Sequence, residues 1–469
     1  MVRAAPGLRG HAQARGGPGT SSVRGERARV PAASLQGPLD PAFAEGGDGR
    51  LRPVLPKPQP PSIYDDATEA GDLWPGERGY VSKSRSRVEW PDGKARLAML
   101  WLKAHQAPDG SWVPGAHGKW CKGKLSDESR YADDYVGDAR FTVATTGMAL
   151  SAFLTFGYTN RGKHLYKVTV SKGLRWLKNQ QSPQGAYGEA DAPYALLNHV
   201  WATLAMVQAY GLTESPIFKY TARMGLEHLL ASRRDDGTWG MGRRTDMVLT
   251  GLACLAIRSG EVIALDQKRR GKRAWWSPPQ DVYGGPATLA QTFTDGRLGE
   301  TGLTMRGDGM RATDVLPTHR RHDASRLTTC LAVLVRGYAG ATPADDPEFA
   351  GMLRYLRRHL PSAPMDAAGG PADLMYLGLA PLVVPVDRSL SAAWGEALKS
   401  RFVEAQVEAD AYCGGLGSFD PMGAWGPAVG RSGTTALALM ALAHPIYSHE
   451  AGRMLSHQTP PRVVGVRVR

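Results

Sequence analysis

Three stretches of this 469-residue chain repeat one four-point spacing, and that repeat limits the fold more than any other feature. They are AMLWLKAHQAPDGSW (98–112), KGLRWLKNQQSPQGAYG (172–188) and GLEHLLASRRDDGTWG (225–240). In each, Trp101, Trp176 or His228 precedes Gln106, Gln181 or Arg233, then Gly110, Gly185 or Gly237, then Trp112, Tyr187 or Trp239. The first half of the unit has helical apolar spacing. It stops at a polar turn, where glycine supplies the left-handed conformation that ends a helix. The aromatic beyond can fold back on the helix end, and the glutamine can satisfy main-chain groups that neighbouring helix ends leave open. Trp101, Gln106, Trp112, Trp176, Gln181, Tyr187 and Trp239 therefore read as structural staples.

A second family of helices follows these units. FTVATTGMALSAFL (141–154), NHVWATLAMVQAY (198–210), TDMVLTGLACLAI (245–257), ASRLTTCLAVLV (324–335) and GRSGTTALALMAL (430–442) align on Thr146, Thr203, Thr250, Thr329 and Thr435. A sixth, DLMYLGLAPLV (373–383), aligns with Leu377 at that register. Steps of roughly 48 residues suit one pair of antiparallel helices with short loops. These segments are apolar almost all round, as helices buried between other helices are. Amphipathic outer helices are visible at 347–360 and 391–406, but none is evident in the long step from Thr250 to Thr329. The expected fold is all-α, an α/α toroid of about six helical hairpins with a disordered N-terminal tail.

Composition sets the limits of that toroid. The chain is 42% hydrophobic and 22% charged, enough to build a sizeable core. Residues 1–40 differ, with six arginines against Glu26 and Asp40, and 51–61 (LRPVLPKPQPP) reads as an extended proline linker. The expected division is a basic, Pro/Gly-rich tail and linker over 1–90, the toroid over 91–455 with an insertion at about 262–318, and a tail over 456–469. No secretory h-region and no run of 18 apolar residues is present, which reads as cytoplasmic or peripheral to a membrane. The four cysteines form no CxxC pair, so no disulfide scaffold or cysteine-rich zinc site is expected. The net charge of +13 concentrates in the tail and in KRRGKRAWW (268–276). That cluster suits contact with an anionic membrane surface. The competing reading is a solvated loop with one structural tryptophan pair. The rest of the chain is not notably basic, so no nucleic-acid partner is expected.

The spacing K/R-G-x2-aromatic-aliphatic-x3-Q-x3-G-x-aromatic, met fully by Lys172 to Tyr187, resembles the QW motif of squalene and oxidosqualene cyclases. Over roughly 93–445 the chain resembles bacterial prenyltransferase/squalene-oxidase-repeat proteins of the terpenoid cyclase/protein prenyltransferase superfamily. The segments AAWGEALKSRFVEAQ (392–406) and GSFDPMGAWGPAVGRSGTTALALMAL (417–442) are especially similar. The resemblance implies the toroid. Its activities do not carry over by motif. The cyclases' Asp-x-Asp-Asp and Asp-Cys-Thr-Ala-Glu strings are absent, YADD (131–134) lacking the first Asp. So are the prenyltransferases' Asp-x-Cys zinc pair and the thioester Gly-Cys-Gly-Glu-Gln. Neither a metal nor a cofactor is expected.

One helical turn before the register position stand Thr142, His199, Asp246, Ser325, Asp373 and Arg431, all polar. Equivalent positions in a toroid share one height, so these residues, with Trp201 nearby, are candidates for lining the mouth of a central cavity. Asn198, His322 and Asp323 lie close in sequence. Helix capping and ion pairing, as between Arg431 and Asp373, account for the same residues. The functional expectation is a toroid that binds an unidentified small molecule or protein in its centre. The alternatives are a divergent terpenoid or isoprenoid cyclase or transferase using Asp246 or Asp373, and a carbohydrate-active (α/α)6 enzyme with paired carboxylates.

Overall fold

The computed structural model describes residues 43–45, 51–53, 93–120, 137–189, 192, 194–241, 244–292, 294–295, 302–303, 324–361, 374–407, 416–421 and 425–444. The chain divides into two units, Met1–Ser62 and Ile63–Arg469. In the first, β1 (Phe43–Glu45) and β2 (Leu51–Pro53) pair antiparallel with Ala44 opposite Arg52, a pairing that composition alone did not suggest. The remainder of 1–92 and all of 445–469 lie outside the described residues.

The second unit alternates outer and inner helices. They are α1 (Lys94–Ala104), α2 (Thr142–Thr155), α3 (Lys167–Asn179), α4 (Ala195–Thr213), α5 (Pro216–Ala231), α6 (Met247–Arg269), α7 (Gly284–Thr292), α8 (Ala324–Tyr338), α9 (Pro347–Arg358), α10 (Leu374–Leu379), α11 (Arg388–Ala397) and α12 (Gly426–Leu442). The even-numbered helices form the ring. Each packs against the next even-numbered helix, and α12 returns to α2. The odd-numbered helices pack outside them, α1 against α12, α3 against α2, α5 against α4 and α6, α7 against α6 and α8, and α9 against α8. This is the expected α/α toroid. The outer helix not evident in the long step is α7, a nine-residue element of weak amphipathic pattern.

The two layers follow from residue pattern. In α9, Phe349, Met352, Leu353 and Leu356 make one apolar stripe at helical spacing, while Arg354, Arg357 and Arg358 face water. Asp346 caps that helix by accepting from Glu348 and Phe349 N–H and also holds the buried Arg336. Inner helices bury every face, so small residues set how near they come. A Cβ on Gly147 of α2 would lie 2.7 Å from the main-chain carbonyl of Trp201 in α4. Helix α6 is long and apolar enough to span a membrane by length and composition, but 83% of its apolar window is buried inside the ring.

The repeated motif is the joint between hairpins. Gln106 Nε2 donates to Gly110 O in its own loop and to Thr169 O in α3, both at 2.9 Å. Gln181 repeats this with Gly185 O (3.2 Å) and Thr221 O of α5 (3.0 Å). Arg233 does the same with Gly237 O and Asp281 O, both at 3.0 Å. A fourth joint, not recognised in the sequence, uses Gln406, which donates to Gly417 O (2.7 Å) and to Lys94 O of α1 (2.8 Å). It fastens the last hairpin to the first and closes the ring. The aromatics fold back as expected: Trp112 Nε1 donates to Leu102 O and Trp239 Nε1 to Leu229 O, each at 2.8 Å. Trp101, Trp112, Tyr187 and Trp239 are fully buried, whereas Trp176 is only half-buried against the core.

Candidate functional site

The threonine register has a physical cause. The turn that buries the motif aromatic leaves that residue's N–H inside the protein, where an unpaired donor is costly. Thr146 Oγ1 accepts from Trp112 N–H at 3.0 Å, Thr250 Oγ1 from Trp239 N–H at 3.0 Å, and Thr435 Oγ1 from Phe419 N–H at 3.1 Å. In the second hairpin the donor Tyr187 N–H instead meets His199 Nδ1 at 3.2 Å. This fixes the proton on Nε2, which donates to Gly225 O of α5 at 3.0 Å, with Thr203 Oγ1 3.3 Å away. Burial, then the neighbouring His228, pushes the His199 imidazole down to about 3, so it is neutral.

These contacts correct the expected polar ring. Residues four apart share a helix face, and the threonine face is turned toward the motif loops in the outer layer. His199 therefore points outward between α4 and α5. Asp246 is the N-cap of α6, accepting from Leu249 N–H at 2.9 Å, while its own N–H bonds Trp239 O. Arg431 is buried beside a kink where Gly430 takes φ 57°, donating to Ser418 Oγ at 2.9 Å and making an ion contact with Asp420 at 2.7 Å. The pairing with Asp373 was an expectation about a residue outside the described set. Thr142 caps locally through Ala139 O. Trp201 is fully buried in the α2–α4 packing. Asn198 ties α4 to α2, accepting from Ala144 N–H at 2.9 Å and donating to Arg140 O at 2.8 Å. Asp373, His322, Asp323 and the side chain of Ser325 lie outside the described residues. The structure brings none of the described candidates into one shared site.

Near Arg431 stand two histidines. His105 stacks on Trp101 at 4.0 Å, and its Nδ1 lies 2.8 Å from Trp101 O. His117 lies 6.5 Å from it, and burial followed by the Arg431 charge lowers it to about 4. They belong to the region where α1 and the 114–120 segment pack on α12. Among the described residues no group of three or more His, Cys, Asp or Glu is placed to hold a metal ion.

A cleft among the described residues lies elsewhere, where the C-terminal half of α6 meets the 276–284 segment and the end of α8. It holds about 470 Å3 and is lined by Arg258, Glu261, Leu265, Lys268, Trp276, Gln280, Tyr283 and Tyr338, among others. Its lining includes a polar network. Arg258 Nη1 bonds Glu261 Oε2 at 2.7 Å, Tyr283 Oη donates to the same oxygen at 3.1 Å, and the guanidinium lies 5.6 Å over the Tyr338 ring. Trp276 and its neighbour Trp275 are buried; Trp275 Nε1 donates to Gly260 O and its N–H to Gln267 Oε1, both at 3.0 Å. The tryptophans of the basic cluster are thus scaffold, as the competing reading held, and are not free to enter a bilayer. Sequence reasoning missed this network. Its signal was Arg258 itself, a charge directly after the apolar run 252–257 of a core helix.

No family model matches the sequence, and no curated protein matches it. Among solved structures the chain is similar to an α-amylase from Clostridium perfringens at 12% identity, covering 75% of this chain and 97% of that one with a TM-score of 0.47. It is similar to the type II terpene cyclase MstE from Scytonema at 12% identity, with 75% and 97% covered and a TM-score of 0.44. It is similar too to an inactive variant of the α-1,6-mannanase GH76A of Salegentibacter sp., at 12% identity, with 76% and 100% covered and a TM-score of 0.46. The toroid stands on the helix contacts above, and no functional residue is taken from these likenesses.

Proposed function

We propose that this chain is a non-catalytic α/α toroid that binds a small, partly apolar ligand, and that the α6–α8 cleft is where it binds. The observation that carries the reading is the Arg258–Glu261–Tyr283 network in the lining of an open, aromatic-walled cleft. Converging polar groups beside aromatic walls are a usual make-up of a ligand site. The ionisable groups on the described inner-helix N-termini support the same reading, because His199, Asp246 and Arg431 are each committed to holding the scaffold. A cyclase acid must be free to protonate an alkene, and Asp246 is engaged as the cap of α6. Absence of the cyclase and zinc motifs from the sequence agrees with this.

Two arms test it. Incubation with squalene, geranylgeranyl diphosphate or an α-linked oligosaccharide is expected to give no product; product that disappears in Asp246→Asn would overturn the non-catalytic reading. A fragment screen by ligand-observed NMR is expected to yield aromatic hits that bind the native chain and are lost in Glu261→Gln. Hits unaffected by that change would remove the cleft from the proposal.

A further inference from the structure

The three large hydrophobic side chains most exposed among the described residues are neighbours by repeat. Val168 is 64% exposed on α3, and Ile217 and Tyr220 are 57% and 67% exposed on α5. The equivalent carbonyls bonded by Gln181 and Gln106, Thr221 and Thr169, set the register between these two helices. One residue earlier in each, Tyr220 and Val168 sit at equal height, and so do Lys219 and Lys167 one residue before that. Apolar side chains and lysines thus alternate along the first turns of two adjacent outer helices.

The surface continues over one end of the toroid. Arg161 Nη1, in the α2–α3 connection, donates to Thr213 O at the end of α4 (2.8 Å). Glu214, in the α4–α5 connection, pairs with Arg270 (2.5 Å) and Lys272 (2.6 Å) of the α6–α7 connection. Three successive connections are stitched into one face, and it is basic. No acidic residue occurs between Asp138 and Glu189, and Arg161, Lys163 and Lys167 are exposed there. Lys163, Lys167 and Lys219 make no ion pair among the described residues. The exposed run 268–273 extends the same face.

We infer that this end, built on the N-termini of α3 and α5 and the 268–273 run, docks on an anionic lipid bilayer. Cations near an anionic leaflet contribute about 1 kcal/mol each, and apolar side chains set among them enter the headgroup boundary. Exposed Val168, Ile217 and Tyr220 favour a bilayer over a nucleic acid, whose phosphates offer an aliphatic side chain nothing. The contact is thereby moved from Trp275 and Trp276, which are buried, to cations and apolar side chains that are exposed.

The test is sedimentation of the full chain with vesicles of phosphatidylcholine alone and of equimolar phosphatidylcholine and phosphatidylglycerol. Binding is expected only to the second, reversed by salt. Lys167→Gln with Lys219→Gln should weaken it by roughly tenfold to thirtyfold, following the per-cation contribution. Val168→Ser, Ile217→Ser and Tyr220→Ser combined should also weaken it, without moving the unfolding midpoint, since all three side chains are exposed. No binding to anionic vesicles overturns the inference. So does binding that both sets of variants leave unchanged, which would assign it to the arginines of 1–40. Binding to single-stranded RNA with the same lysine dependence and no effect of the serine changes would make the face a polyanion site instead.

Discussion

Thr250 and its counterparts show how one side chain can explain a whole register. The sequence displayed the alignment but not its direction: Thr146, Thr250 and Thr435 face outward to the motif loops, and so do His199 and Arg431 a turn before their own register positions. Expecting them at a central mouth placed His199 and Arg431 on the wrong side of their helices. The pairing at His199 also carries a pH dependence. Its imidazole is held at about 3 by burial, and His117 and His444 are held at about 4, against 6.5 for the free side chain. Between those values the unfolded chain binds protons that the folded chain does not. Stability is then complete above about pH 6.5 and falls with acidification toward pH 3, by up to about 1.4 kcal/mol per pH unit for each such histidine. Urea unfolding from pH 7.5 down to pH 4 should show this decline, and His199→Gln should flatten part of it. A midpoint independent of pH over that range would contradict the buried neutral assignments.

At the scale of the element, the glycines of the joints do two things at once. Gly185 has φ 88°, and a Cβ there would stand 2.3 Å from Met224 O on α5. Gly157 has a similar φ of 80° with nothing within 4 Å of a Cβ. Gly157→Ala should cost only the left-handed strain, about 1–2 kcal/mol. Gly185→Ala should cost clearly more, because α5 must move off its joint. Equal shifts in urea midpoint would mean that close approach contributes nothing. This is the level at which the sequence was most legible, since helical spacing, a stop glycine and a returning aromatic all sit within one short window. It failed where the window was broken. Gly417 follows Gln406 at a longer interval than in the other joints, eleven residues against four, so the fourth joint escaped the pattern. Helix α7 escaped because a short helix with a weak apolar stripe does not stand out beside an insertion.

At the scale of the molecule, six hairpins make a ring because the last joint repeats the first three between the last hairpin and the first. Gln406 reaches Lys94 over 312 residues of sequence, and a Cβ on Gly417 would lie 2.6 Å from Leu97 O. Repeat periodicity implied such closure, while the residues that perform it were visible only in three dimensions. Closure makes α1 part of the same cooperative unit as α12, although nearly the whole toroid separates them in sequence. Hydrogen exchange on the full chain with Gln406→Ala tests this most directly. The ring predicts faster exchange in two places, around 402–407 and 416–421 and also in α1 at 94–104, with α3 to α9 little changed. Acceleration confined to the neighbourhood of residue 406, with α1 as protected as in the native chain, would contradict a toroid closed by its repeated motif.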